Sequence, residues 1–164
     1  MTAKITGGVA MIRAAIANGV ETIFGLPGTQ IYALFEGIYE ARLKLIVPRH
    51  EQTAAYMAMG YAKSTGKTGV CAVVPGPGVL NASAALCTAQ GNCSPIVCLT
   101  GQIPSDYLGR GRGHLHELAD QLATLRSIIK DAFRIDDPAT TSAVVNKAFR
   151  LARSGRPGAV SVEM

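Results

Sequence analysis

The chain has no tryptophan and only 5% aromatic residues, so it lacks the stacking platforms with which single-stranded nucleic acids are usually held. No apolar run reaches the ~18 uncharged residues a membrane-spanning helix needs. Charged residues are scarce at 16%, yet the balance is basic, 16 Lys and Arg against 11 Asp and Glu, a formal +5. The basic residues are scattered rather than clustered, apart from Arg110 and Arg112 between Gly109, Gly111 and Gly113. This reads as a solvated or phosphate-facing loop, with nucleic-acid binding as the alternative. Cys71, Cys87, Cys93 and Cys98 form no C-x-x-C pair and stand at no zinc spacing from the histidines, which argues against a metal site. Cys71 and Cys98 fall inside apolar runs, where a free thiol acts as a small hydrophobe in a reducing compartment. The first residues, Met1-Thr-Ala-Lys-Ile-Thr6, contain no apolar leader core. The expectation is a soluble cytoplasmic protein with no membrane and no nucleic-acid partner.

What the chain does have is 48% hydrophobic residues and 18 glycines in 164 residues, the composition of one apolar globular domain. Thr6 can cap a helix whose Val9, Ile12, Ala15 and Ile16 recur at three- and four-residue steps until Asn18-Gly19. Thr22 to Leu26 is a short apolar strand, broken by Pro27-Gly28, and Ile31, Leu34, Phe35 and Ile38 resume a helical period. The unit repeats its logic. Strands are expected at Leu43–Val47, Gly69–Val74 and Pro95–Leu99, with helices from Glu51 to about Ser64 and from Pro75-Gly-Pro-Gly78 through Ala89. After a glycine-rich loop over 101–113, a helical stretch near Leu118–Leu125 and a short strand at Ala132–Ile135 follow. Pro138 opens a helix to about Arg153, and Ala159–Glu163 is the last strand. Alternating strands and helices, the strands apolar on both faces, imply a three-layer α/β domain with about six mainly parallel strands and helices on both sides. An end directly after an apolar strand reads as the N-terminal domain, 1–164, of a longer enzyme.

In open parallel sheets ligands bind outside the carboxyl ends of the strands. The turns there are Gly25-Leu-Pro-Gly28, Arg49-His-Glu51 and Pro75-Gly-Pro-Gly-Val-Leu-Asn81. They lack G-x-x-x-x-G-K-[ST] and do not fit G-x-G-x-x-G, and Pro75 and Pro77 remove N–H donors that a phosphate would need. Such turns suit close packing against a flat, largely apolar surface. Glu51 reads as the only carboxylate placed right after a core strand. It either complements a helix dipole or shares a proton with a ligand nitrogen. Ala54, Ala55 and Ala58 on its helical face would leave it open to a ligand. His50 is a general base or a structural hydrogen bonder; His114 and His116 belong to a helix entry, or His116 faces a substrate. Asn81 is a local cap unless it acts with Glu51, and Met57 and Met59 are core filling.

Taken in order, these segments resemble the N-terminal pyrimidine-binding (PYR) domain of thiamine-diphosphate enzymes of the acetolactate synthase and 2-keto acid decarboxylase family. The resemblance is carried by Gly19-Val-Glu-Thr-Ile-Phe-Gly-Leu-Pro-Gly28, by Arg49-His-Glu-Gln52 with Ala54-Ala55 and Gly60-Tyr-Ala62, by Gly76-Pro-Gly-Val-Leu-Asn81, by Leu99-Thr-Gly-Gln102 and by Gly155-Arg-Pro-Gly158. It implies that Glu51 hydrogen-bonds the pyrimidine N1′ of thiamine diphosphate, favouring the imino tautomer whose 4′-nitrogen takes the proton from thiazolium C2. It further implies that Leu26, Pro27, Gly28, Pro77 and Asn81 line the aminopyrimidine pocket. His116, in Leu115-His-Glu117, stands where many relatives carry Phe-Gln-Glu on the substrate side. The family binds the diphosphate through magnesium on another domain, by a Gly-Asp-Gly motif not found in this sequence. The implied partner is therefore the diphosphate-binding domain of another subunit in a homodimer or larger homo-oligomer, with FAD possible in the full-length enzyme. The competing reading is a non-catalytic flavodoxin-like binding or interaction module.

Overall fold

The computed structural model describes residues 4–164; the reading of Met1 to Ala3 as free of a leader lies outside the described residues. Six strands form one parallel sheet: β1 (Thr22–Gly25), β2 (Lys44–Ile46), β3 (Gly69–Val73), β4 (Ile96–Thr100), β5 (Asp131–Arg134) and β6 (Ala159–Glu163), in the order β2-β1-β3-β4-β6-β5. The helices are α1 (Gly7–Ala17), α2 (Tyr32–Glu40), α3 (Glu51–Thr65), α4 (Pro77–Gly91), α5 (Gln121–Arg126) and α6 (Thr141–Arg153). Leftward crossovers, β1 to β2 through α2 and β5 to β6 through α6, share one face with α1. Rightward ones put α3, α4 and α5 on the other. Right-handed crossovers require that division.

Two cores result from the strand alternation. Val70 and Ala72 join Val97, Leu99, Val160 and Val162 under α1, α2 and α6, while Cys71 and Val73 join Ile96, Cys98 and Ala159 under α3 and α4. Contact with the Cys98 thiol and burial together push the Cys71 thiol well above its ordinary range, so it stays protonated and inert. Thr6 caps α1 as its sequence implies, its hydroxyl accepting from the Val9 amide at 3.3 Å.

Several expectations are corrected. Edge strand β2 is only partly covered, not buried on both faces. The stretch near Leu118–Leu125 is helical only over Gln121–Arg126, and Pro138 opens a single 3-10 turn before α6. Ile16 and Met57 are exposed rather than core, whereas Met11 is buried. Ala54, Ala55 and Ala58 face the sheet and α4, not a ligand: their small size brings α3 so close that a Cβ on Gly69 would lie 2.0 Å from the Ala58 carbonyl oxygen.

Glu163, at the carboxyl end of β6, is a second strand-end carboxylate, so Glu51 is not alone in that position. Its side chain is fully buried. Arg134 donates to Oε1 at 2.6 Å and Gln121 to Oε2 at 2.6 Å, while Gln102 lies 3.4 Å from Oε1. Gln121 also accepts from the Gly76 amide at 2.8 Å, which ties the far edge of the sheet to the turn after β3.

Two stability outcomes follow from this packing. Gly69→Ala forces α3 off the sheet and costs about 1–3 kcal/mol in urea denaturation. Glu163→Ala strands the Arg134 guanidinium and two buried amides and costs about 3–5 kcal/mol by the same measurement; a loss below ~1 kcal/mol would show that the network is not structural.

Candidate functional site

The strand order places one crevice above the others. The connection from β1 leaves to the left and that from β3 to the right, so the turns after these neighbouring strands part and open a gap at their carboxyl ends. Gly25-Leu-Pro-Gly28 and Val74-Pro-Gly-Pro-Gly78 form its walls. The two turns meet at Val74: a Cβ on Gly28 would lie 2.6 Å from its Cγ1 and one on Gly78 would lie 2.6 Å from its Cγ2. A side chain at either position would collide with Val74, so glycine is what lets both turns pack directly on it. Leu26 is fixed by its amide donating to the Ala72 carbonyl at 3.1 Å and packs on the core under α3 and α4, while Pro27 is exposed.

Glu51 enters from the third turn. His50 is the N-cap of α3: its ring Nδ1 accepts from the Gln52 amide at 3.2 Å, so of its two readings the structural one holds here. The cap starts the helix at Glu51, whose half-buried side chain lies against Gly78, a Cβ there being 3.7 Å from the Glu51 Cγ. Asn81 is not a local cap. Its Nδ2 donates to Glu51 Oε2 at 3.0 Å across 30 residues of sequence. Among the described residues Glu51 Oε1 has no hydrogen-bond partner. One carboxylate oxygen is thus oriented by a neutral amide and the other has no partner among the described residues.

The turn after β3 is shaped by Gly76, at φ +58°, a left-handed conformation that lets Pro77 begin α4 with its ring at the first position, where the missing amide is no loss. Gly76 spends its own N–H on Gln121, so that donor is not free to build an anion nest at this turn. His116 reaches the same turn from the loop after β4: a Cβ on Gly76 would lie 2.3 Å from the His116 carbonyl oxygen. The structure therefore brings Gly28, Glu51, Pro77 and Asn81 to one crevice and seats the His116 main chain against Gly76 on the turn that walls it. His114 lies to the side, stacked on Tyr107 at 4.6 Å, with its amide donating to Glu117 at 2.8 Å. Arg110 and Arg112 are exposed on the glycine-rich loop. A cleft of about 250 Å³ lined by Gln102, Glu117, Asp120, Gln121, Arg126 and Arg134 lies behind the turn and does not include Glu51.

Sequence reading missed Gln30, Gln102, Gln121 and Glu163. For Gln102 and Gln121 the signal available was an uncharged polar residue next to an apolar element. For Gln30, which bonds to His116 and Leu115, it was only the position two residues past Pro27-Gly28.

Comparison with known proteins gives the family. Residues 5–124 match the family model described as "Thiamine pyrophosphate enzyme, N-terminal TPP binding domain". Over 158 residues, 96% of this chain and 26% of the relative, it is 36% identical to the probable acetolactate synthase large subunit of Methanocaldococcus jannaschii. It is 37% identical to the acetolactate synthase of Arthrospira platensis (98% of this chain, 28% of the relative) and 34% identical to the probable 2-ketoarginine decarboxylase of Pseudomonas aeruginosa (98% and 29%). The chain thus spans a little over a quarter of the length of these curated relatives. A parallel sheet with Gly28, Gly78, Glu51 and Asn81 gathered at its switch point, and a family model covering residues 5–124, lead to one conclusion: the chain belongs to the N-terminal thiamine pyrophosphate-binding domains of the thiamine pyrophosphate enzymes.

Proposed function

We propose that this chain is the pyrimidine-binding half of a thiamine-diphosphate active site for decarboxylation or carboligation of 2-keto acids, acetolactate synthase-like, with Glu51 as its catalytic carboxylate. The observation that carries the proposal is the Asn81–Glu51 hydrogen bond at the switch point, which presents one free carboxylate oxygen beside a turn trimmed to glycine. The residues fit the flat half of the cofactor. Gly28 and Gly78 let the two turns close on Val74 beside the Glu51 carboxylate, Leu26, Pro27 and Pro77 supply apolar contact, and Glu51 accepts or shares the proton of a ring nitrogen. Asn81 orients that carboxylate. His116 stands on the substrate side of the same turn. Thiamine diphosphate supplies, when bound, the nucleophilic carbon and electron sink that 2-keto acid chemistry requires.

The rest of the site belongs to a partner in this reading. Magnesium and the diphosphate are held by a domain outside this chain, contributed by another subunit of a cytoplasmic homodimer or larger homo-oligomer. No helix among the described residues is long and apolar enough to cross a membrane. The non-catalytic module is disfavoured by the family membership and by the engagement of Glu51 with Asn81.

In the full-length enzyme Glu51→Gln lowers kcat by about 10²–10⁴-fold in steady-state assay, the span of a general acid–base group. Turnover within twofold of the parent would end the proposal. Asn81→Ala, which removes one hydrogen bond to a charged group, lowers kcat/KM by about tenfold or somewhat more. For the 164-residue chain alone, calorimetric titration is expected to show thiamine and thiamine diphosphate binding with equally weak affinity, because only the ring is recognised; a strong preference for the diphosphate would place an anion site on this domain.

A further inference from the structure

Two non-glycine residues near the site adopt the left-handed conformation, Gln30 at φ +68° and His116 at φ +69°, and they are hydrogen-bonded to each other. Such conformations are costly for ordinary side chains and persist where surrounding structure enforces them. Here glycines make room for them. A Cβ on Gly101 would lie 2.2 Å from the Gln30 carbonyl oxygen, and one on Gly76 would lie 2.3 Å from that of His116. Each strained backbone is thus seated on a glycine at the carboxyl end of β4 or β3.

The side-chain contacts have a definite polarity. Gln30 Nε2 donates to the Leu115 carbonyl at 2.9 Å, which fixes the orientation of the amide. Its Oε1 therefore faces the Nδ1 of His116. A carbonyl oxygen only accepts, so Nδ1 of a neutral His116 ring must carry the proton, and Nε2 is left with its lone pair. This is the reverse of the tautomer that a free histidine side chain prefers.

We propose that Gln30 is a positioning residue that sets the tautomer of His116, so that His116 Nε2 serves as a hydrogen-bond acceptor and proton acceptor for an OH-bearing group of the substrate or of the product alcohol. The functional half of this rests on the reading of the site given above; the tautomer itself does not.

The test is long-range proton–nitrogen correlation on the 15N-labelled 164-residue chain, whose three histidines are assigned by single substitution and observed near pH 9, where a free imidazole is neutral. The expected result is Nδ1–H for His116 in the parent, reversion to Nε2–H in Gln30→Leu, and retention of Nδ1–H in Gln30→Glu. Glutamate keeps the acceptor but loses the donor to Leu115, so simple anchoring of the loop would fail equally in both variants. An Nε2–H ring in the parent, or the same tautomer in all three proteins, overturns the proposal. In the full-length enzyme, Gln30→Leu is expected to lower kcat/KM for the 2-keto acid about tenfold and Gln30→Glu to restore most of it, with cofactor affinity unchanged in both. No loss in Gln30→Leu, or no recovery in Gln30→Glu, overturns the functional half. An inactive Glu51→Gln enzyme alongside a wrong His116 tautomer removes only this inference; a fully active one removes the proposed function, whatever the tautomer.

Discussion

The crevice exists because neighbouring strands β1 and β3 send their connections in opposite directions, and right-handed crossovers then force the following helices onto opposite faces of the sheet. Nothing local could create that gap. A chain whose crossovers all ran one way would cover its strand ends in sequence, and the turns ending in Gly28 and Gly78 would not share Val74 as a common floor. Every feature of the site is hung on this reversal. Glu51 comes from the helix that travels rightward over β1, and Asn81 from the next helix on the same face.

A second constraint holds the far side in place. Glu163 is a buried charge that must be paired, and Arg134 and Gln121 satisfy it. Gln121 uses its remaining acceptor on Gly76, so the pairing that makes Glu163 tolerable also stiffens the turn from which α4 and Asn81 project. Core satisfaction and site geometry are therefore one hydrogen-bonded set. The same turn also receives His116, whose loop is stapled by Gln30. The turn after β3 is thus braced from both of its flanks.

Much of this was legible without coordinates. Continuous apolar runs and period-3.6 patterns placed the strands and helices within a few residues, because burial on both faces of a parallel sheet leaves so little freedom to the pattern. Thr6 marked a helix start for reasons of local chemistry. Glu51 and Asn81 were nameable because each follows a Pro- or Gly-containing turn. The alanines after Glu51 were misread, since small size alone does not say whether it opens space to a ligand or closes space to a sheet. Here the carbonyl of Ala58 sits over Gly69 and decides for the sheet. Met57 was misread for a related reason: a thioether at helical spacing fits a core, but its side of α3 faces outward.

The sequence by itself determined the alternation of elements, the Thr6 cap, and which strands end in glycine- and proline-rich turns, because those depend on residues within a few positions of one another. Only the tertiary structure decided that Asn81 grips Glu51, that Gln30 grips His116, and that Glu163 is a buried partner rather than a strand-end ligand group. Those contacts join residues 30, 86 and 42 positions apart in sequence. Side-chain hydrogen bonds at such separations depend on where the crossovers set each strand end down, and no local pattern of residues encodes that placement.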